Sequence, residues 1–492
     1  MKNYLRYVPA AIFLGWALCA YYFFLISRTD WHLVASEFTG MTYANVWEHL
    51  LQGRWDVDPD VNVELFVFDH KYYVYFGIFP ALIRGMLTLF YDIHDSVPRL
   101  GLLIAAMILA VAHVITAIQF DLHKGETKRY FYLLVGVLLL GTPAVYILTP
   151  AHSYHEAILW SLAMDAVFNL FFIRFALSPG KNTVLRLICL GPLAASVILS
   201  RASVGIAPFL ALAILGLLLF LRFINKQKQD FLTWVPVISF SRLALVAVVW
   251  FLCGCSALYV NYKKFGDPLN FQPLENYVVF QNEDGTFNDR GLAIAKYGVF
   301  RWDNSVPMFE YYFIPHADNF SKHWPYLVLG NTIYSHYFSS HIDYRESRTF
   351  MPLTLSAPFL LFFSLFGLFR RPRSWSAFHR DGSYLLDTLA FANLAPGLIL
   401  LGMWGACLRY SVDFLPALVT GTLLTFYFLK LTGSHLLAKK KFFYSCLVMT
   451  IFSIYVVHST LLIYTVTNPT VPFDSRKKVY DIFIGPLHDL GY

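Results

Sequence analysis

Apolar residues recur along this chain in runs of roughly 18 to 25, and the charged residues gather in the stretches between them. An α-helix needs about 20 such residues to cross about 30 Å of hydrocarbon, so each run is a candidate membrane span. The pattern predicts about eleven spans, at 8–26, 98–120, 130–149, 156–177, 184–200, 203–221, 235–260, 351–369, 384–404, 411–430 and 442–464. The runs are too long and too uniformly apolar for the alternating strands of a β-barrel. The expected fold class is therefore all-α integral membrane, with a helical first loop.

Two longer segments, 27–97 and 261–350, interrupt the runs, and a tail follows from 465 to 492. With no internal repeat and no Gly-Ser linker, residues 1–464 read as one membrane module that includes both loops. Lys2 and Arg6 precede the apolar stretch Val8 to Ile26 and no small-residue cleavage site follows, which predicts an uncleaved signal anchor. The apolar stretch from Ala81 to Phe90 is short and broken by Arg84, so it reads as an interfacial helix lying on the membrane.

Composition agrees with the pattern. Hydrophobic residues make up 57% and charged residues 14%, against about 25% charged in soluble proteins, which excludes water as the solvent for most of the chain. The net charge of +7 comes from short clusters at span ends: Lys124, Lys128 and Arg129; Arg222, Lys226 and Lys228; Arg370, Arg371 and Arg373; Lys439, Lys440 and Lys441. Such clusters are topology signals rather than a nucleic-acid surface. Placing them in the cytoplasm puts the N-terminus there and both long loops and the tail outside. The six cysteines lie within or beside apolar runs and imply no disulfide framework.

Chemistry is therefore sought at the outer boundary. Asp56, Asp58, Asp60, Asn62 and Glu64 alternate like the start of a calcium loop, but Val61 and Val67 stand where an EF-hand needs Gly and Glu. A looser divalent-cation site or a solvated acidic turn remains. Asp69, beside His70, Lys71, Tyr72 and Tyr73, would hold a carboxylate next to a cation and two phenols at the membrane surface. His155 and Glu156 open the fourth span, where an ionisable pair is either a helix-dipole partner or functional. Arg201, in Ser200-Arg201-Ala202-Ser203, is a lone outer-side arginine whose planar fork suits a phosphate or a lipid headgroup. Arg409 and Tyr410 end the ninth span, and Arg409 is spaced either to pair with Asp413 on a helix surface or to anchor a ligand. The second loop is dense in Tyr, His and Trp, as at His316, His323, Trp324, Tyr334, His336, Tyr337, His341 and Tyr344, rings that suit the headgroup level. No phosphate-cradling Gly-rich loop, paired CxxC or nucleophile elbow is present, which argues against nucleotide-dependent cytoplasmic chemistry.

Taken together these residues resemble the GT-C superfamily of polytopic glycosyltransferases, especially bacterial relatives of protein O-mannosyltransferases and lipid A aminoarabinose transferases. The resemblance runs from residue 8 to about 430. It rests on Tyr43 with Glu48 to Trp55, on Asp69, Tyr72, Tyr73, Phe79 and Pro80, and on Ser96-Val97-Pro98-Arg99-Leu100 entering the second span. It rests too on Gly266-Asp267-Pro268-Leu269 and on Arg409-Tyr410 before Asp413-Phe414-Leu415-Pro416. The family commonly carries an Asp shortly before the residue that aligns with Tyr43, whereas Thr39 and Gly40 stand there, with Glu37 the nearest substitute.

The resemblance implies sugar transfer from a polyprenyl-phosphate donor to a lipid, glycan or protein acceptor, outside a bacterial cytoplasmic membrane. Glu37 or Asp69 would take the acceptor proton, with Glu156 a second acidic residue of the site. Lys71, His155, Arg201, Arg409 and Tyr410 would bind substrate, and Arg201 would meet the lipid phosphate. No cofactor is assigned, and the divalent cation at the Asp56–Glu64 run stays open. A transporter or flippase, and a non-catalytic scaffold of the same fold, are the alternatives.

Overall fold

In the computed structural model of the chain the described residues are 8–28, 30–33, 35, 37–88, 98–178, 182–224, 236, 238–269, 274–282, 284–322, 324–330, 350–369, 383–467, 471 and 473–484. The elements, in order, are α1 Val8–Ser27, α2 Thr42–Leu51, the strands β1 Phe66–Phe68 and β2 Lys71–Tyr73, α3 Phe79–Leu87, α4 Pro98–Gln119 and α5 Lys128–Leu140. There follow α6 Ser153–Leu177, α7 Thr183–Ile198, α8 Ala202–Ile224, α9 Phe240–Phe265, α10 Asp289–Tyr297 and α11 Ser305–Phe313. The chain continues through α12 Pro358–Phe369, α13 Ser383–Leu401, α14 Leu415–Leu431 and α15 Lys440–Thr467 to α16 Phe473–Phe483.

The protein is a multi-pass helical membrane protein. Among the described residues eight helical segments are long and apolar enough to cross a bilayer: 98–119, 125–148, 153–177, 202–224, 240–265, 384–401, 408–431 and 440–467. The other three runs appear as shorter apolar helices, at 12–27, 183–198 and 358–368. Every expected run has an apolar helix, but eleven crossings do not follow from helix length alone. The long helices pack α4 against α6, α12 against α14, and α6, α7, α8 and α13 against one another, closing one continuous apolar core.

The first loop carries the helices α2 and α3, as expected of a helical loop, and a hairpin besides. In the hairpin β1 and β2 pair antiparallel, with Phe68 opposite Lys71 and Asp69-His70 as a two-residue turn. Both turn residues have positive φ, 54° and 58°, the backbone a type I′ hairpin turn demands and one that Asp tolerates better than most residues. The apolar stretch after Phe79 forms α3, nine residues and far too short to cross. Its Arg84 does not lie among headgroups but turns inward, 1% exposed.

The two ends of the bundle differ. At one end the loops meet: Phe66 bridges Tyr277, the Val278 N–H donates to the Leu65 carbonyl at 3.0 Å, and the Trp404 N–H donates to Val299 at 2.9 Å. At the other, the Arg129 guanidinium and the Tyr130 hydroxyl donate to the Leu437 carbonyl, and Lys430 donates to the Asp121 carbonyl at 3.0 Å. The clusters at Lys124–Arg129 and Lys439–Lys441 belong to this second end. Lys226, Lys228, Arg370, Arg371 and Arg373 lie outside the described residues, as do Ser96, Val97, His323, Tyr334, His336, Tyr337, His341 and Tyr344.

Candidate functional site

At the end where the loops meet, the bundle encloses a cavity of about 450 Å³. Five stretches line it: Glu64 to Gly77 of the first loop, the turn between α7 and α8, the end of α9, Arg290 and Val299 of the second loop, and the segment from α13 to Tyr410. One close approach shapes the wall. A Cβ on Gly77 would fall 1.7 Å from the Leu199 carbonyl oxygen, and two residues on, the Phe79 N–H donates to that oxygen at 2.9 Å. Only glycine lets the first loop lie directly on the turn that carries Arg201.

The charged groups of the lining are Arg201, Lys264, Arg290, Arg409 and one carboxylate, Glu64. Arg201 is tethered: its Nε and Nη2 donate to Asp413 at 3.0–3.2 Å, and the Ser203 hydroxyl donates to the same carboxylate at 2.9 Å. Its guanidinium also lies 4.8 Å from the Tyr410 ring centre. Although burial works against its charge, the Asp413 carboxylate pushes the Arg201 pKa above the usual arginine value. Asp413 is itself fully buried.

The sequence spacing pointed instead to an Arg409–Asp413 helix pair. That pair is not made, because Leu408–Phe414 is a 3₁₀-helix, in which residues four apart do not share a face. Arg409 is held by rings, 5.0 Å from the centre of Tyr154 and 5.4 Å from that of Tyr410, and makes no hydrogen bond or ion pair to the described residues. Two cavity guanidiniums thus flank one tyrosine: Arg201 in a direct ion pair with Asp413, Arg409 in the field of Glu64 without one.

Lys264, 4% exposed, donates to the carbonyls of Val74 at 3.0 Å and Phe76 at 2.8 Å, which ties the first loop to α9. Arg290 lies over the rings of Phe280 and Trp404, at 5.6 Å and 5.9 Å. Glu64 accepts a hydrogen bond from the Tyr75 hydroxyl at 3.3 Å, and its own N–H donates to Asn62 at 2.9 Å. Burial and the Glu64 charge drive the Tyr75 pKa well above its ordinary value, so the phenol remains a donor to the carboxylate.

Of the residues singled out from the sequence, the structure brings Arg201, Arg409 and Tyr410 together in this cavity. The others lie elsewhere among the described residues. Asp69 is exposed at the hairpin turn and Lys71 is exposed on β2. Glu37 is buried between Arg28 and Arg99, each donating to its Oε1 at 2.6 Å. Glu156, on α6, accepts from Arg84 of α3 at 2.7 Å and so fixes the first-loop helix to a span. His155 is fully buried, 4.1 Å ring to ring from His152.

Glu64 was passed over as a base because it reads as the last of four alternating acids with Asn62 among them. Of the two readings of that run, the side chains follow the solvated acidic turn with local partners. Asp56 pairs with Arg54 at 2.6 Å, and Asp58 accepts from Asn45 at 2.6 Å. Asn62 bonds Thr42 and Tyr154 instead of a shared centre. Among the described residues no three His, Cys, Asp or Glu side chains are grouped to hold a metal ion.

No family model and no curated protein matches the sequence. Solved structures with a similar course of the chain include the Archaeoglobus fulgidus oligosaccharyltransferase in the apo form, 13% identical with a TM-score of 0.46. Another is the archaeal oligosaccharyltransferase AglB from the same organism in complex with an inhibitory peptide and a dolichol-phosphate, 14% identical with a TM-score of 0.48. In both cases 96% of this chain is covered but only 59% of the other, so the chain spans about three fifths of the length of these neighbours.

Proposed function

We propose that the protein is a glycosyltransferase that moves a sugar from a polyprenyl-phosphate-linked donor to an acceptor hydroxyl, working in the cavity where the two loops meet and with that end outside the cytoplasm. The observation that carries this reading is the cavity's charge. Among the described residues four cations and a single carboxylate, Glu64, line it, so positive charge is in excess there.

An amphiphile with a phosphate headgroup supplies the missing negative charge while its tail remains in the bilayer. Arg409 and Arg201 then stabilise the phosphate as the bond from the anomeric carbon to the phosphate oxygen breaks. The acceptor oxygen forms the new bond to that carbon, and its proton passes to Glu64, the carboxylate of the lining. Asp413 holds Arg201 in place, and Tyr410 holds the two guanidiniums apart. A donor that carries its own lipid anchor explains why a nucleotide site is unnecessary. In this scheme Glu64 takes the role that the sequence resemblance gave to Glu37 or Asp69.

The test is a transfer assay with purified protein in liposomes, a radiolabelled polyprenyl-phosphate sugar and a panel of lipid, glycan and peptide acceptors. Transfer by the wild type, with loss in Glu64→Gln and retained donor binding, is the expected result. Movement of the intact lipid or of a solute across the bilayer without transfer would replace this reading by the flippase or transporter one.

A further inference from the structure

A second polar site lies far from the cavity, inside the bundle. Asp165 stands at the midpoint of α6 Ser153–Leu177 and is 2% exposed. The Asn169 side-chain amide, one turn along, donates to its Oδ2 at 2.8 Å. The Asn393 amide of α13 donates to the Asn169 side-chain oxygen at 3.4 Å and to the Thr420 hydroxyl of α14 at 2.8 Å. One chain of hydrogen bonds therefore joins three spans.

Each side-chain nitrogen of that chain has a partner and two oxygens do not: among the described residues Asp165 Oδ1 and Asn393 Oδ1 are buried and have none.

Ionisable groups on the surrounding helices do not answer the carboxylate. Arg84 of α3 is paired with Glu156, Lys430 of α14 donates to the carbonyls of Phe120 and Asp121, and Arg186 of α7 donates to those of Arg174 and Ser178. His113 of α4, Cys189 of α7, Arg222 of α8 and Asp387 of α13 form no ion pair or hydrogen bond with Asp165. An ionised carboxylate with no countercharge does not persist in hydrocarbon, and orphaned acceptors there are costly. The missing component is a small positive charge shared by oxygens.

We propose that Asp165 and Asn393 hold one monovalent cation, a proton or a sodium ion, at the middle of the bundle. A proton on Asp165 Oδ1 makes that atom a donor and Asn393 Oδ1 its acceptor, satisfying both orphans. A sodium ion would draw on both oxygens. In either form the site locks α6, α13 and α14 together independently of the cavity's chemistry.

Thermal unfolding of the protein in lipid nanodiscs, in choline chloride and in sodium chloride from about pH 5 to about pH 9, tests this. If the cation is a proton, the wild-type midpoint falls as pH rises in both salts, because the neutral acid is the stabilising form, and Asp165→Asn removes that dependence. If it is sodium, the wild-type midpoint rises by several degrees in sodium over choline at the alkaline end, and Asp165→Asn abolishes the rise. Identical salt and pH dependence in wild type and variant overturns the proposal. Infrared spectra of the wild type provide a reading that does not depend on the variant folding: a buried neutral carboxyl band marks the proton, and a carboxylate band shifted by sodium marks the ion. Neither band would also overturn it.

Discussion

Two sets of arginines lie at the same end of this bundle, one buried and one lining the cavity, and they are treated differently. Arg28, Arg84 and Arg99 are at most 4% exposed, and each meets a carboxylate: Arg28 and Arg99 share Glu37, Arg99 also reaches Asp30 at 2.7 Å, and Arg84 takes Glu156. In the cavity, four cations face Glu64 alone, with Asp413 behind Arg201. Balanced charges of the first kind are self-sufficient and hold the first loop to α4 and α6. Beside the paired Arg201, the cavity holds Arg290 and Arg409 over aromatic rings and Lys264 on two backbone carbonyls. The contrast separates residues that build the site from residues that use it.

The largest expected effect separates the three candidate carboxylates. Glu64→Gln keeps the shape of the side chain but cannot accept a proton, so turnover should fall by roughly 10²–10⁴-fold with donor binding retained. Asp69→Asn, at an exposed turn, should leave turnover unchanged. Glu37→Gln should act through the fold, because two buried guanidiniums lose their countercharge. Single-turnover assays with thermal unfolding on the same three proteins check this. Equal transfer by Glu64→Gln and wild type would remove the proposed base.

Next in size are the balanced pairs. Removing one member of a buried pair costs about 3–5 kcal/mol, whereas replacing both by apolar residues of similar volume is often neutral. Glu156→Leu alone should therefore destabilise strongly, and Arg84→Met with Glu156→Leu should restore most of the loss, leaving donor affinity unchanged in both. Gly101 sharpens the test: a Cβ there would fall 2.2 Å from Glu156 Oε1, so Gly101→Ala should resemble the single Glu156 variant. Donor affinity that followed stability through this series would erase the division between the two sets.

The sequence made the membrane architecture legible because a span needs little more than length and apolarity, both local properties. It also exposed Arg201 and Arg409, since lone cations at span ends stand out. Their partners were not legible. Asp413 sits four residues from Arg409 and 212 from Arg201, and only the 3₁₀ geometry of Leu408–Phe414 turns it toward the distant one. Asp69 looked chemical because of its neighbours, while the signal that it is a turn, two residues between Phe66–Phe68 and Lys71–Tyr73, was present but weaker than an Asn-Gly or Asp-Gly hairpin. Glu64 reaches the cavity through tertiary contacts of the hairpin and Tyr75, which no spacing encodes.

Within the cavity the two arginines should themselves differ. Arg409 makes no direct ion pair with the described residues, so Arg409→Lys, which keeps charge but loses the ring-stacked planar fork, should weaken donor binding by about tenfold or more. Arg201 already gives its fork to Asp413, so Arg201→Lys should lower turnover more modestly by loosening Tyr410 and the Arg409 position. Donor titration by fluorescence quenching, read beside turnover, distinguishes the two. A larger binding loss in Arg201→Lys than in Arg409→Lys would reverse their roles.

The smallest expected effect lies at the edge of the balanced set. Asp30 is partly exposed, and although burial alone would raise its pKa, hydrogen bonds from Arg99 and from the His32 N–H hold it below the ordinary aspartate value. A carboxylate with a depressed folded pKa contributes stability that is present above its unfolded pKa of about 3.9 and is lost as pH falls below that value toward the folded one. Solvent screening at so exposed a pair keeps the contribution to a fraction of the buried ones. Thermal midpoints of wild type and Asp30→Asn should therefore differ slightly at neutral pH and converge as the medium is acidified below about pH 4. Asp30 does not line the cavity, so transfer measured after return to neutral pH should be unchanged in both proteins. Curves that stay parallel throughout the acid range would show that Arg99 is balanced by Glu37 alone, and Asp30 would leave the set.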